Sequence, residues 1–407
     1  MASRGVVPIK PGCGGAELVV LNLAKTLALS GHRVTLVADV EPEAVASVAG
    51  LETVPVPDWR VKWVGRLLPS GFFRWILQHL LGNLAVAARV RELLRNSNDY
   101  DVVHCHGSLS AALIARRCPV PVVYSEHDPS PWRCRYRSWY ERAVRKLIYK
   151  MVNGAAFRLA DRVVTNFPEQ VPDIERLCAA SGTVSLIRNG TDVDIFTPRR
   201  GVLSRIRQEY GFERYCLFVG SLTARKSPDL LLSAVAESGS LPCVFAGDGP
   251  MQRKLARQAA QLGISDRVAF LGNVPPAELG QIYAEADMLA LPSVSEGAPL
   301  VVLEAMACGI PVLATNIAGL PSMVKDWETG FLVKPGDVGQ LAMAIRFLAG
   351  DDDLRRRMGA NGRRKALSEF PWPLVATDYV RLYEIVSSRP ASGIVLAGAE
   401  RPELASA

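Results

Sequence analysis

What the chain lacks narrows it first. Its 407 residues contain no apolar run approaching the ~18 that a membrane-spanning helix needs, and the first residues do not follow the pattern of a secretory signal. The eight cysteines, at 13, 105, 118, 134, 178, 216, 243 and 308, include no C-x2-C pair. Several lie in apolar runs and read as buried reduced thiols, not as a disulfide or zinc framework. No nucleic-acid motif accompanies the basic balance, and no cluster of carboxylates is spaced for a metal. The expectation is a cytoplasmic protein in which Asn189-Gly190-Thr191 is a turn and not a glycosylation acceptor.

What is present describes a two-domain enzyme-sized chain with 49% hydrophobic and 21% charged residues. The formal charge of +7 is uneven: residues 1–198 carry 24 Lys and Arg against 18 Asp and Glu, and the remainder is nearly balanced. The basic excess concentrates at 132–150, where seven cations are interleaved with Trp132, Tyr136, Trp139 and Tyr140. Such a segment suits either an interfacial helix on anionic lipid, associated from the cytoplasmic side, or a solvated helix face. Residues 52–82, with Trp59, Trp63, Phe72, Phe73 and Trp75, read as core.

The remainder alternates short apolar strands with helices, and its polar residues gather where strands end. Ser293 to Gly309 is the most informative stretch. Two breakers in Glu296-Gly297-Ala298-Pro299 open a turn after the apolar run 288–291; Pro299 then suits the first helical position, Leu300 to Ala307 continue the helix, and Gly309 stops it. A helix start presents free N–H groups and partial positive charge, which suits a phosphate. Glu296 precedes that start and Glu304 lies about one and a half turns in, both placed to accept from hydroxyls of the same ligand. Two glutamates at this spacing are, by themselves, also an ordinary exposed charge and cap.

Other stretches carry the same logic. Gly14-Gly15 opens a helix with a glycine turn that lets backbone approach an anion. Asp101 to Gly107 and Val120 to Asp128 are strands with histidines at their carboxyl ends, where parallel sheets bind ligands; His106 and His127 are candidates, and His104 reads as structural. Arg225 and Lys226 precede a helix beginning at Pro228 and can clamp a diphosphate, one as a fork and one as a point charge. Val244 to Pro250 runs a strand into a tight turn at Gly249, and Arg267 to Val274 is a further strand and its exit.

In this order, the elements resemble the retaining nucleotide-sugar glycosyltransferases of family 4. That resemblance implies an α/β GT-B fold of two Rossmann-like, doubly wound domains facing across a cleft. The G-G-x-E element at Gly14-Gly15 would lie near the donor diphosphate. His127 would stand beside the transferred sugar, and His106 matches a second recurrent strand-end histidine. In the family pattern G-R-L-x3-K-G, Lys226 keeps its place while Ser221 stands where arginine is expected, and we read Arg225 as its substitute. Gly249 belongs to a G-x-G-P-like turn, and main-chain groups at Val274 would hold the base. Gly297, Ala298, Pro299 and Leu300 would receive the phosphate, Glu304 the ribose and Glu296 the donor sugar. The resemblance calls for no metal or cofactor. The departing phosphate would take the acceptor proton in a front-face displacement.

The partners that the resemblance implies are a nucleoside-diphosphate sugar and an acceptor hydroxyl; the basic segment 132–150 leaves open an anionic membrane surface, and no nucleic acid is expected. The N-G-x-D…F-x-P segment from Asn189 to Pro198 resembles the family hinge. The expected domains are 1–198, 199–370, a helix at 371–388 returning to the first domain, and a disordered tail at 389–407. Only Val6 to Ile9 precede the glycine turn, where the family has a longer first strand, so the N-terminus is expected to be truncated or misassigned. An epimerase of the same fold, a synthase or phosphorylase acting on small sugars, and an inactive sugar-nucleotide-binding protein are the competing readings.

Overall fold

Two parallel sheets organise the chain. The computed structural model describes residues 14–38, 48–56, 72–133, 139–178, 182–198, 205–239, 241–388 and 393–397. The expected strand Val6–Ile9 and the tryptophans 59 and 63 lie outside those residues. The chain divides into two compact units. The first comprises 1–132, 136–188 and 372–407; the second comprises 133–135 and 189–371.

The first unit carries strands β1 (Arg33–Val37), β2 (Leu51–Val54), β3 (Val102–Cys105), β4 (Val122–Glu126), β5 (Arg162–Thr165) and β6 (Val184–Leu186). A further strand, β13 (Gly393–Ala397), comes from the far end of the chain. The sheet order is β2-β1-β13-β3-β4-β5-β6, with every neighbouring pair parallel. Helix α1 (Gly15–Leu29) buries Val20, Leu23, Ala24 and Leu27 at helical spacing, and Gly31 at φ 92° reverses the chain into β1.

The expectation of a disordered tail at 389–407 is corrected by β13. Ile394, Val395 and Leu396 are fully buried, paired in register with β1 on one side and β3 on the other. A short unbroken Ile-Val-Leu run is what a parallel strand covered on both faces requires. The surrounding Gly, Ala and Ser obscured it. The preceding helix, α12 (Trp372–Ser387), packs on α1 and β3 in the same unit.

The second unit is a six-stranded sheet: β7 (Cys216–Val219), β8 (Cys243–Ala246), β9 (Val268–Gly272), β10 (Met288–Leu291), β11 (Val312–Thr315) and β12 (Gly330–Val333). The order β12-β11-β10-β7-β8-β9 is that of a doubly wound dinucleotide fold, and its direction of winding reverses between β7 and β10. Leu231, Val235, Leu341, Ile345 and Phe245 fill its core from the helices and the sheet.

This unit begins at Asn189, not at 199 as expected. The hinge segment packs with it: Asn189 Nδ2 donates to the Ala298 carbonyl at 2.7 Å, Thr191 N to the Phe370 carbonyl at 2.7 Å, and Phe196 meets the Tyr283 ring edge-on. Cys105, Cys216, Cys243 and Cys308 are buried free thiols. Among the described residues no helix is long and apolar enough to cross a membrane.

Candidate functional site

The second unit places its polar residues on the carboxyl ends of β7 and β10, which flank the reversal of strand order. After β7 the chain turns through residues 221–227. Leu222 is fully buried; its N–H donates to the Asp248 carbonyl at 2.8 Å, and its carbonyl accepts from Met251 N at 3.0 Å. The loop is thereby zipped to the turn after β8. Two glycines make that approach sterically feasible. Gly247, at φ 146°, has its Cβ direction filled by the Gly220 carbonyl, and a Cβ on Gly249 would lie 2.6 Å from the Leu222 oxygen. The loop ends at Ser227, held in the left-handed region at φ 50° immediately before Pro228 opens helix α6 (Pro228–Ser238). Backbone strain of this kind collects beside ligand-binding groups.

After β10 the corresponding turn is tethered at three points. Thr315 Oγ1 donates to the Ser293 carbonyl at 2.6 Å, Val294 N donates to the Arg225 carbonyl at 2.9 Å, and Asn189 takes the Ala298 carbonyl. Helix α9 (Leu300–Ala307) follows, with Pro299 as its cap at ψ 129° and not as its first helical residue. Gly297, Ala298 and Leu300 are buried and Pro299 is half-buried.

These two turns meet in an ion pair. Lys226 Nζ lies 2.5 Å from Glu296 Oε1, and their side chains are only 11% and 3% exposed. Burial alone would raise the Glu296 carboxyl, but the charges of Lys226 and then Arg225 outweigh it and hold the group below the ordinary carboxylate range. An ammonium has three N–H donors and a carboxylate about four lone-pair positions, so the pair can persist while Lys226 donates to, and Glu296 accepts from, further partners. Arg225 is half-buried on the same loop.

Glu304 is a carboxyl of a different kind. Its Oε2 accepts from the Tyr283 hydroxyl at 2.9 Å, and burial raises the group to about 7, with Tyr283 working in the opposite sense. Near neutral pH it can accept from, or donate to, a ligand hydroxyl. Val274 is half-buried beyond β9, two strands from β7.

The first unit holds the remaining candidates. Gly14 caps α1 and Gly15 is its first residue. At the ends of β3 and β4 three histidines stack. The rings of His104 and His106 are 4.1 Å apart, and those of His106 and His127 are 5.1 Å apart and nearly parallel. His106 Nδ1 and His127 Nε2 share a hydrogen bond of 2.8 Å. His104 is fixed between the Tyr383 hydroxyl at 2.7 Å and Ser125 Oγ at 2.8 Å, the structural part expected of it. Burial, reinforced by the neighbouring histidines, holds His104 and His106 well below the usual imidazole range, so both are neutral at pH 7. Among the described residues His106 Nε2 is buried with no hydrogen-bond partner. Tyr283, Ser125 and Tyr383 had no mark in the sequence; each becomes visible only through a contact with a residue at least 21 positions away. Among the described residues no group of three or more His, Cys, Asp or Glu is placed to hold a metal ion.

Two parallel α/β units, one with a dinucleotide-type strand order and a charge pair at its reversal point, have the architecture of the GT-B glycosyltransferases. The chain matches the family described as Glycosyltransferase Family 4 over residues 13–212, and the one described as Glycosyl transferases group 1 over 203–365. It is 32% identical to the D-inositol 3-phosphate glycosyltransferase of Mycobacterium tuberculosis, over 86% of this chain and 73% of that one. The sucrose-phosphate synthase of Thermosynechococcus elongatus shares the fold with a TM-score of 0.80 at 24% identity, covering 95% and 98% of the two chains. Anabaena HepE, solved with UDP and glucose, shares it at 0.71 and 22% identity, covering 93% and 99%. The chain belongs to the group 1, family 4 glycosyltransferases and is an enzyme of that class.

Proposed function

We propose that this enzyme transfers a hexose or N-acetylhexosamine, with retention, from a nucleoside-diphosphate sugar to a hydroxyl of a small phosphorylated polyol. The observation that carries the reading is the Lys226–Glu296 pair spanning the ends of β7 and β10. A ligand at that point meets a cation for its diphosphate and a carboxylate for its sugar hydroxyls. The UDP in the HepE structure supports a uridine nucleotide, and the name of the mycobacterial relative supports a phosphorylated inositol as acceptor.

In the reaction, the bond from the anomeric carbon to the diphosphate oxygen breaks and a bond from the acceptor oxygen forms on the same face. The acceptor proton passes to the departing phosphate. Lys226, Arg225 and the backbone N–H groups of Gly297, Ala298 and Leu300 stabilise the leaving charge. Such preorganised donors are worth roughly 3–4 kcal/mol each. Glu304 holds the ribose and Glu296 the donor sugar; in the first unit, His127, hydrogen-bonded to His106, is the sugar contact that the family resemblance implies. Gly249 and Val274 line the nucleotide side through their backbone.

A thermal-shift panel of UDP-glucose, UDP-N-acetylglucosamine and GDP-mannose tests the donor. A UDP-sugar at a hundredfold excess over its dissociation constant should stabilise the fold by about 2.7 kcal/mol. Mass spectrometry with inositol phosphate should then show a glycosylated product. Failure of every nucleotide sugar to stabilise removes the reading. Donor conversion without any acceptor points to an epimerase, and binding without turnover to an inactive binding protein.

An anionic membrane surface is proposed as a peripheral partner. On helix α4 (Trp139–Ile148) Trp139 is 81% exposed, and Leu147 and Ile148 are exposed beyond it, beside Arg142, Arg145, Lys146 and Lys150. Sedimentation with phosphatidylglycerol vesicles should retain the wild type at low salt and release a Trp139→Ala/Leu147→Ser variant. Equal binding of both would exclude this surface.

A further inference from the structure

We propose that Glu126 is a positioning residue that sets His127 from the opposite face of strand β4. Side chains alternate along a strand, so Ser125 and His127 point toward the histidine stack while Tyr124 and Glu126 point away from it. On that far side Glu126 is buried and accepts three hydrogen bonds. Its Oε2 accepts from the Tyr124 hydroxyl at 3.0 Å and from Asn153 Nδ2, and its Oε1 accepts from the backbone N–H of Asp128 at 3.0 Å. The last bond ties down the residue immediately after His127. The Asp128 carbonyl is taken in turn by Gln170 Nε2 at 2.6 Å, and Gln170 Oε1 accepts from Thr165 Oγ1 at 2.8 Å. The backbone on the exit side of His127 is therefore held at both its donor and its acceptor, and the carboxyl is one of the two clamps.

Asn153 comes from an unusual place. Residues Tyr149–Asn153 form a single π-helical turn between α4 and α5 (Gly154–Leu159). Such turns insert one extra residue and re-aim side chains, and they recur at functional sites. Here the turn brings Asn153 onto the carboxyl and Tyr149 beside it. The titratable groups facing Glu126 are thus Tyr124, Tyr149 and Asp128; Asn153 supplies a neutral contact, and Gln170 bonds the Tyr149 hydroxyl. Burial first, then the Asp128 charge, raises Glu126 to about 7, against the bonds from Asp128 N, Asn153 and Tyr124. Ionised, Glu126 grips Asp128 N with a charge-assisted bond; protonated, it grips it more weakly.

The inference rests on the glycosyl-transfer reading only for its kinetic readout. In ligand-free full-length enzyme, ring ¹⁵N and ¹H resonances of His127 should follow a step near pH 7. Glu126→Gln, which is isosteric with the protonated acid, should abolish that step while leaving the His104 resonances in place. Asn153→Ala removes a bond that favours the ionised form and should move the step to higher pH. In turnover, Glu126→Gln should lower kcat by about tenfold to a hundredfold with donor KM nearly unchanged, and flatten the pH profile. A His127 step that persists unaltered in Glu126→Gln overturns the proposal whether or not transfer is ever observed. So does an unaltered kcat and pH profile in Glu126→Gln when the wild type is active.

Discussion

Lys226→Met should abolish measurable transfer and also destabilise the ligand-free enzyme. The substitution leaves the Glu296 carboxylate buried without its cation, and removing one partner of such a pair costs roughly 3–5 kcal/mol. Its folded-state pKa is held low by Lys226 and Arg225, so this contribution is present above the unfolded carboxylate value and is lost as pH falls through the folded one. The loss in Lys226→Met should therefore be largest at neutral pH and shrink toward acid. Glu296→Leu strands the ammonium instead and should also destabilise. The double variant removes both charges and should unfold close to wild type while remaining inactive, with kcat at least about a hundredfold down. Chemical denaturation of the four proteins forms a double-mutant cycle. Additive stability losses would mean that the pair seen at 2.5 Å contributes nothing, and full activity in either single variant would remove both residues from the donor site.

Removing residues 388–407 should prevent the first unit from folding at all. The deletion takes out β13 and with it Ile394, Val395 and Leu396, all fully buried, from the middle of a seven-stranded sheet. Strands β1 and β3 would then face each other across a gap one strand wide, each with an unpaired edge. The expected result is an aggregating protein that lacks a cooperative transition by circular dichroism. Val395→Asp in the full-length chain should do the same, because it buries a carboxylate among apolar side chains. A truncated protein that elutes as a monomer and melts like wild type would show that β13 is dispensable.

Where the sequence announced its chemistry, it did so through local punctuation. The Glu296 turn, the Gly249 turn and the Arg225-Lys226 loop all lie between an apolar strand and a helix, so glycine, proline and charge marked them within a few residues. What was not legible was partnership. Lys226 and Glu296 are 70 positions apart, and nothing local says that they neutralise each other. Tyr383 reaches His104 across 279 positions. Glu126 offered a fainter signal, a carboxyl at the end of a strand otherwise suited to full burial, but its meaning depends on Asn153, 27 residues further on. The unit boundary lies about ten residues before the one its sequence suggests, because Asn189 and Phe196 look like linker in sequence and act as packing in space. The C-terminal strand was missed because a five-residue buried strand flanked by small residues has no period to read.

That strand also bears on biosynthesis. The first unit's sheet needs residues on both sides of the entire second unit, so its N-terminal part cannot close vectorially as it leaves the ribosome. Roughly 200 residues separate β6 from β13, a delay of about 10–40 s at ordinary elongation rates. Through that interval β1 and β3 are nascent, sticky and without their shared neighbour, while the second unit is free to fold ahead of them. This enzyme should therefore depend on holding chaperones during translation until β13 has emerged.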